Sequence, residues 1–365
     1  MTTDQDWMAQ AIAQANTAQY RTRPNPAVGC VIVKNEQIIG RGATAPVGGS
    51  HAEVFALKEA GMQAKDATAY VTLEPCAHYG RTPPCAEALI KAGLKKVVIA
   101  TLDPNPLVAG KGLAMLNDAG IETIVGVLQH EAQAQNRGFL KVMAGGLPYV
   151  RLKIAASLDG RTAMASGESK WITGEAARQD VQHWRAISGA VITGIQTILA
   201  DDAQLNVRNL LDVDLSEVVQ PWRVILDRHG QLPLQAKILR SPATVMVMGP
   251  YREELAQLGV VQFEPQSLTD LLSTLKSAYK IYDVLVEAGA TLSTSFLQDN
   301  LVDEVIQYIA PMYLGQTARA LNQLNYESMQ QRFQLKLLEV KQIHQDIRLR
   351  LQPVQHCCAS HIEPS

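Results

Sequence analysis

The feature that most restricts how this chain folds is a break at Met143-Ala144-Gly145-Gly146-Leu147-Pro148, with an alternating strand–helix pattern on both sides of it. Two glycines and a proline so close together suit neither a helix nor a strand, and they mark a domain boundary. The 365 residues are too many for one ordinary core. Two domains are therefore expected, over residues 1–146 and 147–365.

Before the break, residues 4–19 read as a helix that Thr3 or Asp4 can cap, with Trp7, Met8, Ile12 and Ala15 on one face. Residues 28–33 form a continuous apolar run, the pattern of a buried strand, followed by a turn at 34–36 and a return strand at 38–40. Helices are expected at 50–60, 86–92 and 113–119, each ended by a glycine, and strands at 69–73, 96–100 and 122–127. After the break, strands are expected at 149–156, 190–193, 223–227, 244–248, 283–287 and 305–310, with a closing pair at 333–340 and 347–354. Helices are expected at 174–186, 268–278 and 291–300. Alternation of this kind makes both halves α/β, with largely parallel or mixed sheets. No internal repeat relates them.

Several classes are excluded by composition. A net charge of -2 and the absence of any lysine–arginine run argue against a nucleic-acid backbone as partner and for a small molecule. Five cysteines without regular spacing do not make a secreted disulfide scaffold. No signal peptide or membrane-length apolar stretch is apparent, so a cytoplasmic protein without membrane contact is expected.

The chemistry concentrates in two short stretches. Gly48-Gly49-Ser50-His51-Ala52-Glu53 heads one helix; Glu74-Pro75-Cys76 is followed, eight residues on, by Cys85 at the start of the next. One imidazole and two thiolates suit a tetrahedral zinc with a fourth position open to water. A helix N-terminus is expected to favour the Cys85 thiolate. Two thiolates leave zinc formally neutral, so the water is less acidified than among three histidines and needs a base, the role Glu53 suits. His-x-Glu followed by Pro-Cys and a second cysteine is the zinc-deaminase pattern. Two points stand against it: positions two apart on one helix do not share a face, and the usual cysteine spacing is Cys-x-x-Cys. Cys30, in an apolar strand, reads as core rather than as a further ligand.

These stretches, together with NPAVGCVIV (25–33), EPCAHYGRTPPC (74–85) and DPNPLVAGKG (103–112), resemble the bifunctional deaminase/reductase of riboflavin biosynthesis, whose long insert between the cysteines this chain shares. VRLKIAASLDGRTAMASGESKWIT (150–173), TGIQTILADDAQLNVR (193–208) and VEAGATLSTSFL (286–297) resemble its reductase domain. The resemblance implies an N-terminal cytidine-deaminase-like α/β/α sandwich followed by a dihydrofolate-reductase-like α/β domain. It implies two successive reactions. The first is zinc-dependent hydrolytic deamination of 2,5-diamino-6-(5-phosphoribosylamino)pyrimidin-4(3H)-one. The second is NADPH reduction of the ribosyl group to ribityl. A homo-oligomer is the expected assembly.

In the deaminase half, Asn25, His78 and Arg81 are the expected substrate contacts, Arg81 because its planar fork suits a phosphate. The alternative for His78 and Arg81 is a solvated loop tip. In the reductase half there is no Gly-x-Gly-x-x-Gly, so a Rossmann site is not supported. The turn Gly289-Ala290-Thr291-Leu292-Ser293-Thr294-Ser295 offers small residues and backbone amides at a helix start, a natural diphosphate site. By resemblance, Ala155, Trp171, Thr197 and Asp201 contact the dinucleotide, and Ser169, Arg185, Leu205, Arg208 and Glu287 the substrate, with Lys153 near the reacting sugar. Arg228 is an expected partner of the 2′-phosphate. Taken without the resemblance, Trp171 reads as a core aromatic and Arg185 as a surface charge.

Three rival readings remain at this stage: an RNA- or DNA-editing deaminase, a purely structural zinc protein, and a C-terminal half that binds without catalysing. The tail HCCASHIEPS reads as a mobile end.

Overall fold

The computed structural model describes residues 2–79, 83–106, 108–241 and 243–354. The chain divides into two compact units, Met1–Pro148 with Ser216–Val219, and Tyr149–Leu215 with Gln220–Ser365. Arg81 and the tail from residue 356 lie outside the described residues.

The first unit runs α1 (Asp4–Ala18), β1 (Gly29–Lys34), β2 (Gln37–Ala43), α2 (Ala52–Ala60), β3 (Thr68–Val71), α3 (Cys85–Lys91), β4 (Lys96–Ile99), α4 (Lys111–Asp118), β5 (Glu122–Val125), α5 (Gln129–Gln135) and α6 (Arg137–Met143). Thr3 caps α1 in a reciprocal box with Asp6. The strands form one sheet in the order β2-β1-β3-β4-β5, with β1 antiparallel to β2 and β3 and the rest parallel. Both faces are covered, which is why the run at 28–33 is apolar throughout. Cys30 and Ile32 face a core with Ala52 and Ala56 of α2, Leu89 of α3 and Leu116 of α4. Val31 and Val33 face Met8 and Ala11 of α1 and Ala132 of α5. This is the expected α/β/α sandwich.

Because β2, β3 and β4 point the same way, the segments leaving their C-terminal ends gather on one edge of the sheet. His51, Cys76 and residues 100–106 and 108–110 all lie on those segments. Gly42 fixes the start of α2 there: a Cβ on it would lie 2.0 Å from the Ala52 carbonyl oxygen, so strand and helix touch backbone to backbone.

The second unit contains β6 (Tyr149–Ser157), β7 (Arg161–Ala163), α7 (Glu175–Ile187), β8 (Ala190–Gly194), α8 (Ile195–Asp201), β9 (Trp222–Leu226), β10 (Val245–Met248), α9 (Glu253–Gln257), β11 (Val261–Phe263), α10 (Leu268–Tyr279), β12 (Asp283–Glu287), α11 (Ala290–Gln298), β13 (Glu304–Ala310), β14 (Arg319–Ala320), β15 (Leu335–Ile343) and β16 (Asp346–Pro353). Nine strands form one sheet in the order β11-β10-β9-β8-β12-β6-β13-β16-β15. It is parallel from β11 to β13 and closes with the antiparallel pair β16–β15. Strands β7 and β14 pair separately. The chain leaves β6, skips one position, lays down β8 to β11 outward, and returns with β12 in the gap. Ligands of open α/β sheets collect outside the strand C-termini at such a reversal. Among the described residues no helix is long and apolar enough to cross a membrane.

Candidate active sites

In the first unit three donors converge. His51 precedes α2 with extended backbone (φ −78°, ψ 165°), while Glu53 sits in the helix's first turn. They are not two positions of one helix, so the angular offset that separates such positions does not apply. Cys85 is the first residue of α3, and its backbone N–H donates to Cys76 Sγ at 3.3 Å. His51 Nδ1 lies 3.2 Å from Cys85 Sγ and 3.6 Å from Cys76 Sγ, and the three ligand atoms fall within 4.8 Å of one another. Tetrahedral zinc with ordinary bond lengths separates such donors by about 3.5–3.8 Å. The donor set and spacing therefore fit zinc. Among the described residues this is the one group of three that could hold a metal, and Cys30 is not in it.

Electrostatics distribute the protons unevenly. Cys76 is pulled down to about 4, first by the thiol of Cys85 donating to it and then by His51. Cys85 is pushed up by that same hydrogen bond, by burial and by the charge of Glu53. Hydrogen bonding, burial and Glu53 thus all act against the effect expected at Cys85 from its helix terminus. A dication bound among such groups ionises both. Glu53 is 3% exposed, and burial raises its carboxyl to about 6. That value suits a group that must both take and give a proton near neutral pH. The Cys30 thiol is pushed well up by burial and by Glu53, as expected for core.

Asn25 and His78 are both exposed. Sequence reasoning missed Asn136, which stands at the α5–α6 junction. Its Oδ1 accepts from the Ala27 amide at 2.8 Å and its Nδ2 donates to the Ala27 carbonyl at 2.9 Å. A single amide side chain thus pairs with backbone as a strand would, and fixes the turn that carries Asn25. No local signal marks it, since the partners lie 109 residues apart.

In the second unit a cleft of about 1630 Å³ opens at the strand C-termini. It exceeds the roughly 300–1,000 Å³ of a single small-ligand pocket, leaving room for a dinucleotide beside a substrate. Ala155, Trp171, Thr197, Asp201 and Arg228 line it, as do Lys153, Ser169, Arg185, Leu205, Arg208 and Glu287. Trp171 is no core aromatic: it is 67% exposed and stacks on Arg178, whose Cζ lies 4.2 Å from the ring centre. Arg185 is no surface charge: it is buried, with Nε 2.5 Å from Glu287 Oε1 and Nη2 3.0 Å from Oε2. Lys153 Nζ stands 3.9 Å from Glu287 Oε2. These two residues are register partners on β6 and β12. Burial raises the Glu287 carboxyl, but Arg185, Lys153 and Arg208 more than reverse this and leave it lowered. Burial lowers the Lys153 ammonium, and Arg185 adds to the effect while Glu287 opposes it.

The α11 entrance divides the expected diphosphate residues. Gly289, Ala290, Thr291, Leu292 and Ser295 line the cleft. The side chains of Ser293 and Thr294 turn away from it. They are buried; Ser293 Oγ donates to the Ala288 carbonyl at 3.2 Å, and Thr294 Oγ1 accepts from the Gln323 amide at 2.8 Å. Helical rotation turns both positions into the protein while Ser295 returns to the opening. Farther along, the buried Asp227 accepts from the Gln231 and Leu232 amides, both at 2.8 Å, and so shapes the turn that presents Arg228 and His229.

Comparison with known proteins places both halves. A family described as the RibD C-terminal domain matches residues 148–349, and one described as the cytidine and deoxycytidylate deaminase zinc-binding region matches residues 1–101. The chain is 48% identical over 361 residues to the riboflavin biosynthesis protein RibD of Haemophilus influenzae, covering 95% of this chain and 96% of that one. It is 44% identical over 362 residues to RibD of Escherichia coli, covering 95% and 99%. Among solved structures, Acinetobacter baumannii RibD superposes with a TM-score of 0.93 at 66% identity, covering 96% of this chain and 99% of that one. A Thermotoga maritima protein described as a diaminohydroxyphosphoribosylaminopyrimidine deaminase/5-amino-6-(5-phosphoribosylamino)uracil reductase gives 0.86 at 33% identity, covering 96% and 99%.

Proposed function

The chain belongs to the RibD family, and from that membership we propose which residues carry its two reactions. The protein is a bifunctional enzyme of riboflavin biosynthesis, a zinc-dependent deaminase joined to an NADPH-dependent reductase. We assign the deaminase to residues 1–146 and the reductase to 147–365.

In the first step the 2-amino group of 2,5-diamino-6-(5-phosphoribosylamino)pyrimidin-4(3H)-one is replaced by oxygen and ammonia leaves. His51, Cys76 and Cys85 hold the zinc, which supplies the Lewis acidity that makes water a nucleophile near neutral pH. Glu53 takes the proton that the attacking water loses and passes protons to the ring nitrogen and the departing amine. Its burial supports this, because a carboxyl raised to about 6 exchanges a proton readily at neutral pH. Asn25, His78 and Arg81 bind the substrate.

In the second step NADPH, when bound, supplies hydride for converting the ribosyl group to ribityl. The cleft has the extent for both ligands, and the amides at the start of α11 suit the cofactor's diphosphate. Ala155, Trp171, Thr197, Asp201 and Arg228 complete the cofactor side. Ser169, Arg185, Leu205, Arg208 and Glu287 hold the substrate, with Lys153 nearest the reacting sugar. The arrangement refines the expected division of labour: Arg185 is engaged by Glu287, which leaves the exposed Arg208 as the freer cation for a phosphate.

The observation that carries the reading is the pairing, in one chain, of a His-Cys-Cys centre beside a buried glutamate with a two-ligand cleft at a parallel-sheet edge. The reading extends to a small-molecule partner without nucleic acid, to a homo-oligomer, checked by light scattering, and to the cytoplasm, where thiols needed for zinc stay reduced. To test the reading, the phosphoribosylaminopyrimidine is offered with NADPH while ammonia and absorbance are followed together. Both signals are expected in sequence; ammonia without NADPH loss would leave the deaminase alone standing.

A further inference from the structure

Glu74, two positions before Cys76, is a buried carboxylate that accepts hydrogen bonds from four backbone amides. Its Oε2 accepts from Asp103 at 3.2 Å and Gly110 at 3.1 Å, and its Oε1 from Gly112 at 2.9 Å and Leu113 at 3.3 Å. Gly110 is the residue before α4, held at φ 75°, and Gly112 and Leu113 lie in that helix's first turn. The amides that a helix start offers to an anion are here taken by an anion of the chain itself. Contact reinforces charge: a Cβ on Gly112 would lie 1.9 Å from the Pro75 carbonyl oxygen. Asp103 and the start of α4 at residues 110–113 are therefore fastened directly to the Glu74-Pro75-Cys76 turn.

The fastened segment begins at Asp103, whose Oδ1 accepts from the Asn105 amide at 2.9 Å. Burial raises the Asp103 carboxyl, and the hydrogen bond from the Asn105 amide opposes it.

We propose that Glu74 is a positioning residue of the deaminase: by filling four amides it holds Asp103 and the start of α4 on the turn that carries Cys76 and, two residues on, the expected substrate contact His78. This rests on the deaminase reading above. Glu74 touches neither metal nor substrate in this role. Its removal leaves four converging amides around a space of carboxylate size, which a small carboxylate such as formate refills.

The test uses the full-length zinc-loaded enzyme with Glu74→Ala and Glu74→Gln. Zinc content, kcat and KM for ammonia release, and hydrogen exchange at the amides of residues 103, 110, 112 and 113 are measured with and without formate. Glu74→Ala should keep its zinc, raise KM about tenfold with kcat within about threefold, and expose the four amides to exchange, because charged-acceptor hydrogen bonds are lost. Formate should restore both KM and protection. In Glu74→Gln the amide fills the space, so KM rises without rescue. Unchanged KM and exchange in Glu74→Ala would overturn the proposal. A parallel fall in kcat and zinc without rescue would do so too, by reducing Glu74 to a brace of the metal turn. If the wild-type enzyme releases no ammonia, the deaminase reading falls, and the exchange measurement still decides whether Glu74 holds the segment.

Discussion

Arg185 and Glu287, expected to reach for the substrate separately, grip each other through two hydrogen bonds of 2.5 and 3.0 Å at the floor of the reductase cleft. A guanidinium–carboxylate fork of this kind is rigid, and it presents Glu287 in one orientation. The pair is a built part of the site before any ligand arrives.

Removing Arg185 leaves Glu287 relying on Lys153 at 3.9 Å, and removing Glu287 strips a guanidinium about one-tenth exposed of its carboxylate partner. Arg185→Ala and Glu287→Ala should each destabilise the reductase unit by about 3 kcal/mol, and the double variant by less than their sum. Denaturant unfolding followed through Trp184 measures this. Each variant should also lose NADPH consumption while releasing ammonia normally. Simple additivity would mean that the two side chains do not act as a pair.

Glu53→Gln keeps the volume of the side chain and removes its proton chemistry. Ammonia release should fall by at least about a hundredfold with zinc content unchanged, the scale of a lost general acid–base group. Reduction of pre-deaminated substrate should proceed as before. Wild-type turnover in this variant would end the assignment of Glu53 and favour a structural zinc.

His183, on α7, predicts a pH dependence of stability. Burial holds its imidazole down to about 4 from 6.5; Arg151, Arg348 and Arg350 lower it further, and Asp180 opposes them. The unfolded chain therefore binds the extra proton between those values. Stability is full above about 6.5 and should fall by about 3 kcal/mol as pH drops to 4. His183→Phe should flatten that part of the profile. A slope that survives the substitution would belong to another group.

Asn136→Ala removes both hydrogen bonds to Ala27 and leaves a buried amide and carbonyl unpaired, a cost of about 1–3 kcal/mol. Because the Ala27 turn carries Asn25, the KM for ammonia release should rise while NADPH consumption on pre-deaminated substrate stays constant. Thermal unfolding together with the two assays separates these effects. An unchanged KM would free Asn25 from dependence on this clamp.

Much of the deaminase centre was legible because its chemistry lies in contiguous motifs. His51, Glu53, Cys76 and Cys85 are metal and proton groups at helix starts, and glycine and proline punctuation locates those starts. What sequence could not supply was the backbone state of His51. One extended residue before α2 turned an apparent mismatch of helical phase into a compatible pair. Helices α5 and α6 escaped notice because α5 is polar (QHEAQAQ) and follows Leu128, a left-handed residue at φ 50° without a side-chain cap. The inward rotation of the Ser293 and Thr294 side chains has no mark in an amide-rich turn. Asn136 and the Arg185–Glu287 fork depend on partners more than a hundred residues away, and only the sheet order joins them.

The register match of Lys153 with Glu287 on adjacent parallel strands has a consequence for how this enzyme can diversify. A slip of one residue in either strand would turn that side chain to the opposite face of the sheet. The reductase's charged floor is thus inherited with the fold and varies only by exchanging residue types in place. Variation in what the cleft accepts falls to the turn on its rim at residues 228–231, which lies outside the strands. Relatives that reduce other sugars or use other nucleotides are expected to differ there and to keep the floor.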